Sequence, residues 1–223
     1  MSKALVTGGT RGIGRAVAVS LLDAGHTVFV TGTSPDGPAP DGCAYFQCDF
    51  EDPDQLQSFA EEVTGLELSI LVNNAGINKI GPLAEYSLTD FRRIQQVNVT
   101  APFMLCRAVI PGMQSRGLGR IVNITSIFGV VSKPERSAYS TSKFGLFGMS
   151  RALALEVASD NILVNCVAPG FVDTDLTRRV LGKEGIATVE AQIPARRLAR
   201  PEEIATCVRF LVSDENSYLT GQN

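Results

Sequence analysis

The sequence predicts a single-domain α/β fold in which a doubly wound parallel sheet carries helices on both faces, giving three layers. Short apolar runs without period-2 alternation indicate strands buried on both faces. Helix-length segments separate these runs, an order typical of βαβ units with right-handed crossovers. The predicted strands cover residues 4–7, 27–31, 44–48, 69–73, 120–125 and 162–167.

The length of 223 residues fits one domain over residues 1–223 with one large core. The strand and helix order is that of a Rossmann-type fold. The proline- and glycine-rich stretch 34–42 lies between two early strands, so we interpret it as a surface loop and not as a domain linker.

Composition excludes several classes of function. The formal charge of -3 offers no basic surface for nucleic acid or anionic lipid, and no apolar stretch reaches membrane-spanning length. The 5 cysteines are scattered and form no C-x-x-C, which predicts neither a disulfide framework nor a metal site. We expect a cytoplasmic protein that uses no metal and binds neither nucleic acid nor membrane.

A glycine-rich turn follows the first strand, before a segment with helical spacing. Glycines let the backbone approach a pyrophosphate, and the free N–H groups of a helix start favour an anion. The spacing G-x-x-x-G-x-G differs from the common G-x-G-x-x-G, and the alternative is a turn that only lets the helix pack closely. The candidate dinucleotide-binding residues are Gly8, Thr10, Arg11, Gly12, Ile13 and Gly14.

The end of the second strand predicts NADP(H) over NAD(H). NAD-binding domains of this type hold the ribose hydroxyls with a carboxylate there, whereas this strand leads into Thr33 and reaches its first carboxylate, Asp36, beyond Pro35. Arg11 supplies a guanidinium suited to a 2′-phosphate. The alternative for Arg11 is a solvated surface charge.

Tyr139 and Lys143 lie four residues apart at the start of a long predicted helix. That spacing places a phenol and an ammonium on one helix face, where a cation favours the phenolate. Alone, the pair also fits an ordinary half-exposed helix. The only histidine, His26, precedes the second strand and is expected at the surface, so a Ser-His-Asp hydrolase would lack its base.

Further motifs occur in order: Asn73-Asn74-Ala75-Gly76, Asn98, Ser126 and Pro169-Gly170. With the glycine turn and Tyr139-x-x-x-Lys143, they resemble the classical short-chain dehydrogenase/reductases across almost the whole chain. The resemblance implies that Ser126 binds the substrate oxygen, Tyr139 transfers the proton, Lys143 holds the nicotinamide ribose and lowers the Tyr139 pKa, and Asn98 places a water. The cofactor residues that it implies are Asp49, Phe50, Asn74, Ala75, Gly76, Pro169, Gly170, Val172 and Thr174, beside Tyr139 and Lys143.

Spacing around the predicted substrate lid, at about 173–195, most resembles the 3-oxoacyl-carrier-protein reductases. These dock an acidic carrier protein with basic residues, but Asp160 occupies one such position, which leaves Arg116 and Arg120. The substrate is therefore a small carbonyl or alcohol compound, with an acyl-carrier-bound ketone favoured. A small-molecule alcohol or cis-dihydrodiol dehydrogenase and a non-catalytic nucleotide sensor are the alternatives.

The resemblance also implies a homodimer or homotetramer. The long helix that carries Tyr139 presents Phe144, Phe147 and Leu155 for subunit contact. A seventh strand expected from the family is missing after Leu219-Thr220-Gly221-Gln222-Asn223. We therefore expect the sixth strand to be an unpaired edge and the natural chain to continue beyond Asn223.

Overall fold

The computed structural model describes residues 2–223 and contains one sheet of six strands, all parallel. Each predicted strand is found within one residue of its expected bounds. The strands are β1 (Lys3–Val6), β2 (Thr27–Gly32), β3 (Ala44–Gln47), β4 (Ile70–Asn73), β5 (Gly119–Ile124) and β6 (Ile162–Val167). The strand order is β3-β2-β1-β4-β5-β6. Successive strands are added on one side from β1 to β3 and on the other side from β4 to β6, so the order of addition reverses between β1 and β4. At this switch point a crevice opens beyond the carboxyl ends of the strands.

Seven α-helices cover the two faces of the sheet in the described chain. They are α1 (Gly12–Asp23), α2 (Pro53–Thr64), α3 (Leu88–Gln95), α4 (Ala101–Arg116), α5 (Ser137–Val157), α6 (Asp175–Gln192) and α7 (Pro201–Val212). Helices α1 and α7 pack on one face, and α2, α4 and α5 pack on the other. The three predicted layers are confirmed.

Consecutive residues of a strand pack into the hydrophobic cores on opposite faces of the sheet. Leu5 packs with the α2, α4 and α5 side, whereas Ala4 and Val6 pack with the α1 and α7 side. All three are fully buried. This explains why the strands appear in the sequence as continuous apolar runs.

The last residues of the chain lie beside β6. Gly221 N donates to Val164 O at 2.7 Å, and Cys166 N donates to Gln222 O at 2.7 Å. The expectation of an unpaired β6 edge is therefore wrong along this stretch, because these bonds occupy its backbone groups.

The segment expected to be a lid forms α6, which is broken at Gly182 (φ 62°, ψ 179°). Of the α6 side chains only Val189 is buried, so few apolar contacts hold the helix on the body of the protein. No helix within residues 2–223 is long and apolar enough to span a bilayer.

Candidate active site

The glycine turn lies at the carboxyl end of β1, where the backbone approaches itself closely. Gly8 and Gly12 have φ values of 64° and 53°, in the left-handed region that favours glycine. A Cβ at Gly14 would lie 2.3 Å from Gly8 O, so no larger residue fits there. Arg11 precedes α1 without capping it through its side chain, and the first turn of α1 has no acidic residue. The exposed helix start therefore suits the pyrophosphate of a dinucleotide.

Thr7 joins this turn to the loop after β4, a role that the sequence analysis missed. Its hydroxyl accepts hydrogen bonds from the N–H groups of Asn74 and Ala75, at 2.9 and 3.0 Å. The Asn74 amide donates in return to Thr7 O and Gly8 O, at 2.9 and 3.2 Å. These bonds hold the two loops at the switch point in a fixed relation.

At the adenine side of the crevice, β2 ends at Gly32 and leads into exposed Thr33. Asp49 follows β3 and accepts a hydrogen bond from Glu51 N at 3.0 Å. The Phe50 ring is buried and packs 6.1 Å from the Phe59 ring centroid. The side chain of Phe50 thus belongs to the core, which leaves only its backbone to face an adenine.

Ser126 and Tyr139 meet where β5 ends and α5 begins. The Ser126 hydroxyl accepts a hydrogen bond from Phe128 N at 3.1 Å. Burial raises the pKa of Tyr139, while the nearby Ser126 hydroxyl and the positive charge of Arg136 oppose that rise. Two neighbouring hydroxyls are suited to hold and protonate a carbonyl oxygen.

Lys143 lies one turn further along α5 and is almost fully buried, with 4% exposed. Its Nζ donates to Ile124 O at 2.9 Å and lies 5.6 Å from the Tyr139 ring centroid. Burial lowers the pKa of Lys143 to about 8. The charge that lowers the Tyr139 pKa in this structure belongs to Arg136, so the tuning of Tyr139 by Lys143 stays a prediction.

Asn98 is fully buried in a π-helical turn, Gln96–Thr100, that joins α3 to α4. Its side-chain amide donates to Ile77 O at 2.9 Å and to Ser142 Oγ at 3.0 Å, and its Oδ1 accepts from Ile77 N at 2.9 Å. Pro102 follows four residues later and has no N–H, so the Asn98 carbonyl lacks the donor of a regular helix. The water that the sequence analysis places at Asn98 stays a prediction.

The remaining predicted residues surround the same crevice. A Cβ at Gly76 would lie 3.5 Å from Lys143 Nζ, and one at Gly12 would lie 3.3 Å from Thr174 Cγ2. Pro169 O accepts from Ile127 N at 2.9 Å. Val172 is buried beside Ala199. Gly170 lies between Pro169 and Val172 along the chain. The start of the α6 segment is thus placed against both the glycine turn and the Ser126 loop.

A buried polar chain that the sequence analysis also missed fixes α5 to the sheet. Asn73 Nδ2 donates to Asn123 Oδ1 at 2.8 Å, and Asn123 Nδ2 donates to Ser150 Oγ at 2.7 Å. The signal in the sequence is the presence of asparagine in otherwise apolar strands. Since α5 also carries Tyr139 and Lys143, these bonds help to fix the helix on which both side chains lie.

His26 lies at the amino-terminal end of β2, whereas Ser126 follows the carboxyl-terminal end of β5. The two residues therefore lie at opposite ends of the parallel strands. It is half-buried, and burial lowers its pKa. No cluster of three or more His, Cys, Asp or Glu side chains suited to a metal ion occurs among residues 2–223.

Comparisons with known proteins agree with this geometry. A family model described as enoyl-(acyl carrier protein) reductase matches residues 8–223. The 3-oxoacyl-[acyl-carrier-protein] reductase of Salmonella typhimurium is 41% identical over 98% of this chain and 93% of its own length.

Two solved structures have the same architecture. A 3-oxoacyl (acyl-carrier-protein) reductase from Agrobacterium tumefaciens, solved with NADP bound, superimposes with a TM-score of 0.93 at 29% identity, covering 99% of this chain and 91% of its own. An aldohexose dehydrogenase from Thermoplasma acidophilum gives a TM-score of 0.91 at 31% identity, covering 99% and 90%. This chain belongs to the short-chain dehydrogenase/reductase family.

Proposed function

We propose that this protein is an NADP(H)-dependent ketone reductase whose substrate is a 3-oxoacyl thioester. The observation that carries the proposal is the neighbouring Ser126 and Tyr139 hydroxyls at the carboxyl end of the sheet, with buried Lys143 one helical turn from Tyr139. The relatives named 3-oxoacyl-[acyl-carrier-protein] reductases, at 37–41% identity, support the thioester. The intact Ser126, Tyr139 and Lys143 argue against a sensor without turnover.

The residues of the chain divide the work of the reaction. NADP(H), when bound in the crevice, would supply the hydride that reduces the carbonyl carbon. Ser126 holds the carbonyl oxygen, and Tyr139 gives it a proton as negative charge develops there. Lys143 binds the nicotinamide ribose, and the carbonyl of Asn98 holds the water that returns a proton to the site.

NADP(H) is supported by the charges around the ribose position. Arg11 is exposed beside the glycine turn, and neither Gly32 nor Thr33 carries a negative charge. We expect NADPH to bind more tightly than NADH, as measured by fluorescence titration with both cofactors. Arg11→Ala should reduce the preference, and equal binding of the two by the unaltered protein would refute the assignment.

An introduced carboxylate tests the same point from the other side. A Cβ at Gly32 would lie 2.9 Å from both Thr10 Cγ2 and Tyr45 Oη, so an aspartate does not fit there. Thr33 is exposed and accepts the change. Thr33→Asp should shift preference toward NADH, because the carboxylate repels a 2′-phosphate and accepts from a free hydroxyl.

The structure leaves fewer basic residues available for docking a carrier protein than the sequence analysis expects. Arg120 is 6% exposed and donates to Gly119 O and Asn161 O at 2.8 and 3.0 Å, so it is not available for docking. Arg116 is exposed, although it donates to Leu68 O at 2.6 Å. The Asp160 carboxylate accepts a hydrogen bond from Gln114 at 2.7 Å, so a negative charge lies beside α4, the helix that carries Arg116. This carboxylate favours a free small-molecule ketone or alcohol as the second candidate substrate.

Turnover of matched substrates distinguishes the two candidates. NADPH oxidation is measured with a 3-oxobutanoyl thioester on acyl carrier protein, the same acyl group on N-acetylcysteamine, and a panel of sugar and alicyclic ketones. The proposal expects a higher kcat/KM for the thioesters than for the panel. Preference for a ketone of the panel would overturn the thioester assignment.

A dimer through α4 and α5 is also proposed. Phe103, Phe144 and Leu155 are 53%, 46% and 85% exposed, which is a large apolar area for two neighbouring helices. Sedimentation equilibrium of the unaltered protein and of Leu155→Asp tests whether this face holds two copies together.

A further inference from the structure

Arg136 is a buried cation that the reaction described above does not use. It immediately precedes α5 and is 6% exposed, yet none of the ion pairs within residues 2–223 includes it. Its Nε is buried without a hydrogen-bond partner, and Nη1 makes only a long contact of 3.4 Å with Glu135 O. A buried, unpaired guanidinium is costly, so proteins keep one only where something else balances the charge.

Aromatic rings and a second cation lie near Arg136. Its guanidinium lies 5.8 Å from the Phe128 ring centroid, and Lys133 Nζ lies 5.8 Å from the same centroid. The Phe171 ring packs edge-on against Phe128 at 6.1 Å, and Lys133 lies 5.5 Å from it. We call Phe128, Lys133, Arg136 and Phe171 the aromatic–cation cluster. The exposed Glu135 meets Arg136 through its backbone carbonyl, and its carboxylate acts on Arg136 through its charge without forming an ion pair.

The aromatic–cation cluster adjoins the reacting hydroxyls. Phe128 N donates to Ser126 Oγ at 3.1 Å, and Arg136 precedes Tyr139 by three residues. The charge of Arg136 is close enough to lower the pKa of Tyr139. A group bound to Arg136 would therefore lie beside the carbonyl that Ser126 and Tyr139 hold.

We propose that Arg136 binds the free carboxylate of an oxo-acid substrate, so that this enzyme reduces small 3-oxo acids as a further substrate class. A guanidinium binds a carboxylate through two parallel hydrogen bonds, and the unpartnered Nε belongs to the edge that makes them. The hydride moves from NADPH to the ketone carbon, Tyr139 gives its proton to the oxygen, and the carboxylate is unchanged. An acyl thioester has no such carboxylate. The inference rests on the proposed ketone reduction and adds to it a determinant of specificity.

The test compares acetoacetate with methyl acetoacetate, which have the same ketone but differ in that the ester carries a methyl group and no negative charge. Steady-state kinetics with NADPH are measured for the unaltered protein, Arg136→Gln and the matched control Lys133→Gln, an exposed cation of the same cluster. Arg136→Gln should lower kcat/KM for acetoacetate by about 10- to 100-fold, the range expected for a charge-assisted hydrogen bond. Any effect of Arg136 on the pKa of Tyr139 falls on acid and ester alike, so the loss for the ester should be clearly smaller than the loss for the acid. Lys133→Gln should have a small effect on both substrates.

Equal losses on acid and ester would overturn the inference, because they would mean that Arg136 acts through Tyr139 or through the fold. Arg136→Lys covers the case in which the glutamine variant fails to fold. Arg136→Lys keeps the positive charge but cannot form the two parallel hydrogen bonds. Its kcat/KM for acetoacetate should therefore lie between the values for the unaltered protein and for Arg136→Gln. An acid-to-ester ratio unchanged in Arg136→Lys and in Arg136→Gln would also overturn the inference.

Calorimetric binding of acetoacetate to the protein with NADP⁺ separates this inference from the proposed function. Binding that depends on Arg136, without reduction of any ketone, would support the carboxylate site and refute the reductase. Ester reduction together with acetoacetate binding that does not depend on Arg136 would refute the carboxylate site alone. Thermal unfolding of each variant reports whether the fold is intact.

Discussion

Replacing Lys143 with methionine should stabilise the protein while it removes activity. The ammonium is 4% exposed, and its one hydrogen bond, to Ile124 O, does not replace the water that it loses. Burial lowers the pKa of Lys143 from 10.5 to about 8. The protein thus carries an unfavourable buried charge at a position that the proposed reaction uses.

The size of the effect follows from the pKa. At about 1.4 kcal/mol for each pKa unit, the fall from 10.5 to about 8 corresponds to about 3 kcal/mol of free energy of unfolding. Loss of the bond to Ile124 costs about 1 kcal/mol. Lys143→Met should therefore unfold with a free energy about 2 kcal/mol higher than the unaltered protein at pH 7.

The pH dependence has a defined sign. The unfolded lysine keeps its proton up to a pH near 10.5, whereas the folded one loses it near 8. The destabilisation is complete below about pH 8 and fades as the pH rises toward 10.5. The difference between Lys143→Met and the unaltered protein should shrink over that range.

Urea unfolding without cofactor, at pH 7 and at pH 10, measures both effects. Lys133→Met is the matched control, since Lys133 is exposed and its removal should change the free energy of unfolding very little. A Lys143→Met protein that is less stable than the unaltered one at pH 7, or a difference that is the same at both pH values, would refute the reasoning.

Three further outcomes are expected. Tyr139→Phe should lower kcat by about 10²- to 10⁴-fold with cofactor affinity unchanged, and near-normal turnover in steady-state assays would contradict the assigned proton transfer. Thr7→Val should cost about 1–3 kcal/mol in urea unfolding, because it leaves the N–H groups of Asn74 and Ala75 without their acceptor; an unchanged midpoint would show that water replaces the hydroxyl. The kcat/KM for ketone reduction should fall above about pH 8 as Lys143 loses its proton, and a flat profile from pH 7 to pH 10 would exclude that requirement.

The sequence by itself determined the sheet, the glycine turn and the shared helix face of Tyr139 and Lys143. Strands such as β1 are buried on both faces, so the continuous apolar run of Ala4, Leu5 and Val6 identifies the strand without tertiary information. The turn at Gly8 and Gly12 needs positive φ values that favour glycine. Tyr139 and Lys143 share a helix face because helical spacing alone brings them together. Each of these features depends on residues that are close along the chain.

The tertiary structure decided what depends on contacts between distant segments. The bonds of Thr7 with Asn74 join residues 67 positions apart, and no local pattern indicates them. The sequence analysis leaves Arg120 as a candidate for docking a carrier protein. The fold buries it, because Arg120 lies near the covered amino-terminal end of β5. Asn98 was predicted within a helix, and the fold places it in a π-helical turn where its side chain binds Ile77 and Ser142.

Arg136 shows the same division most clearly. In the sequence it is an ordinary charge before a helix, and nothing in its neighbourhood along the chain distinguishes it from exposed Lys133. Both cations lie near the Phe128 ring, yet the fold leaves Arg136 only 6% exposed and Lys133 exposed. Desolvation is a property of the assembled fold, and it is desolvation that turns a surface charge into a candidate site for a carboxylate.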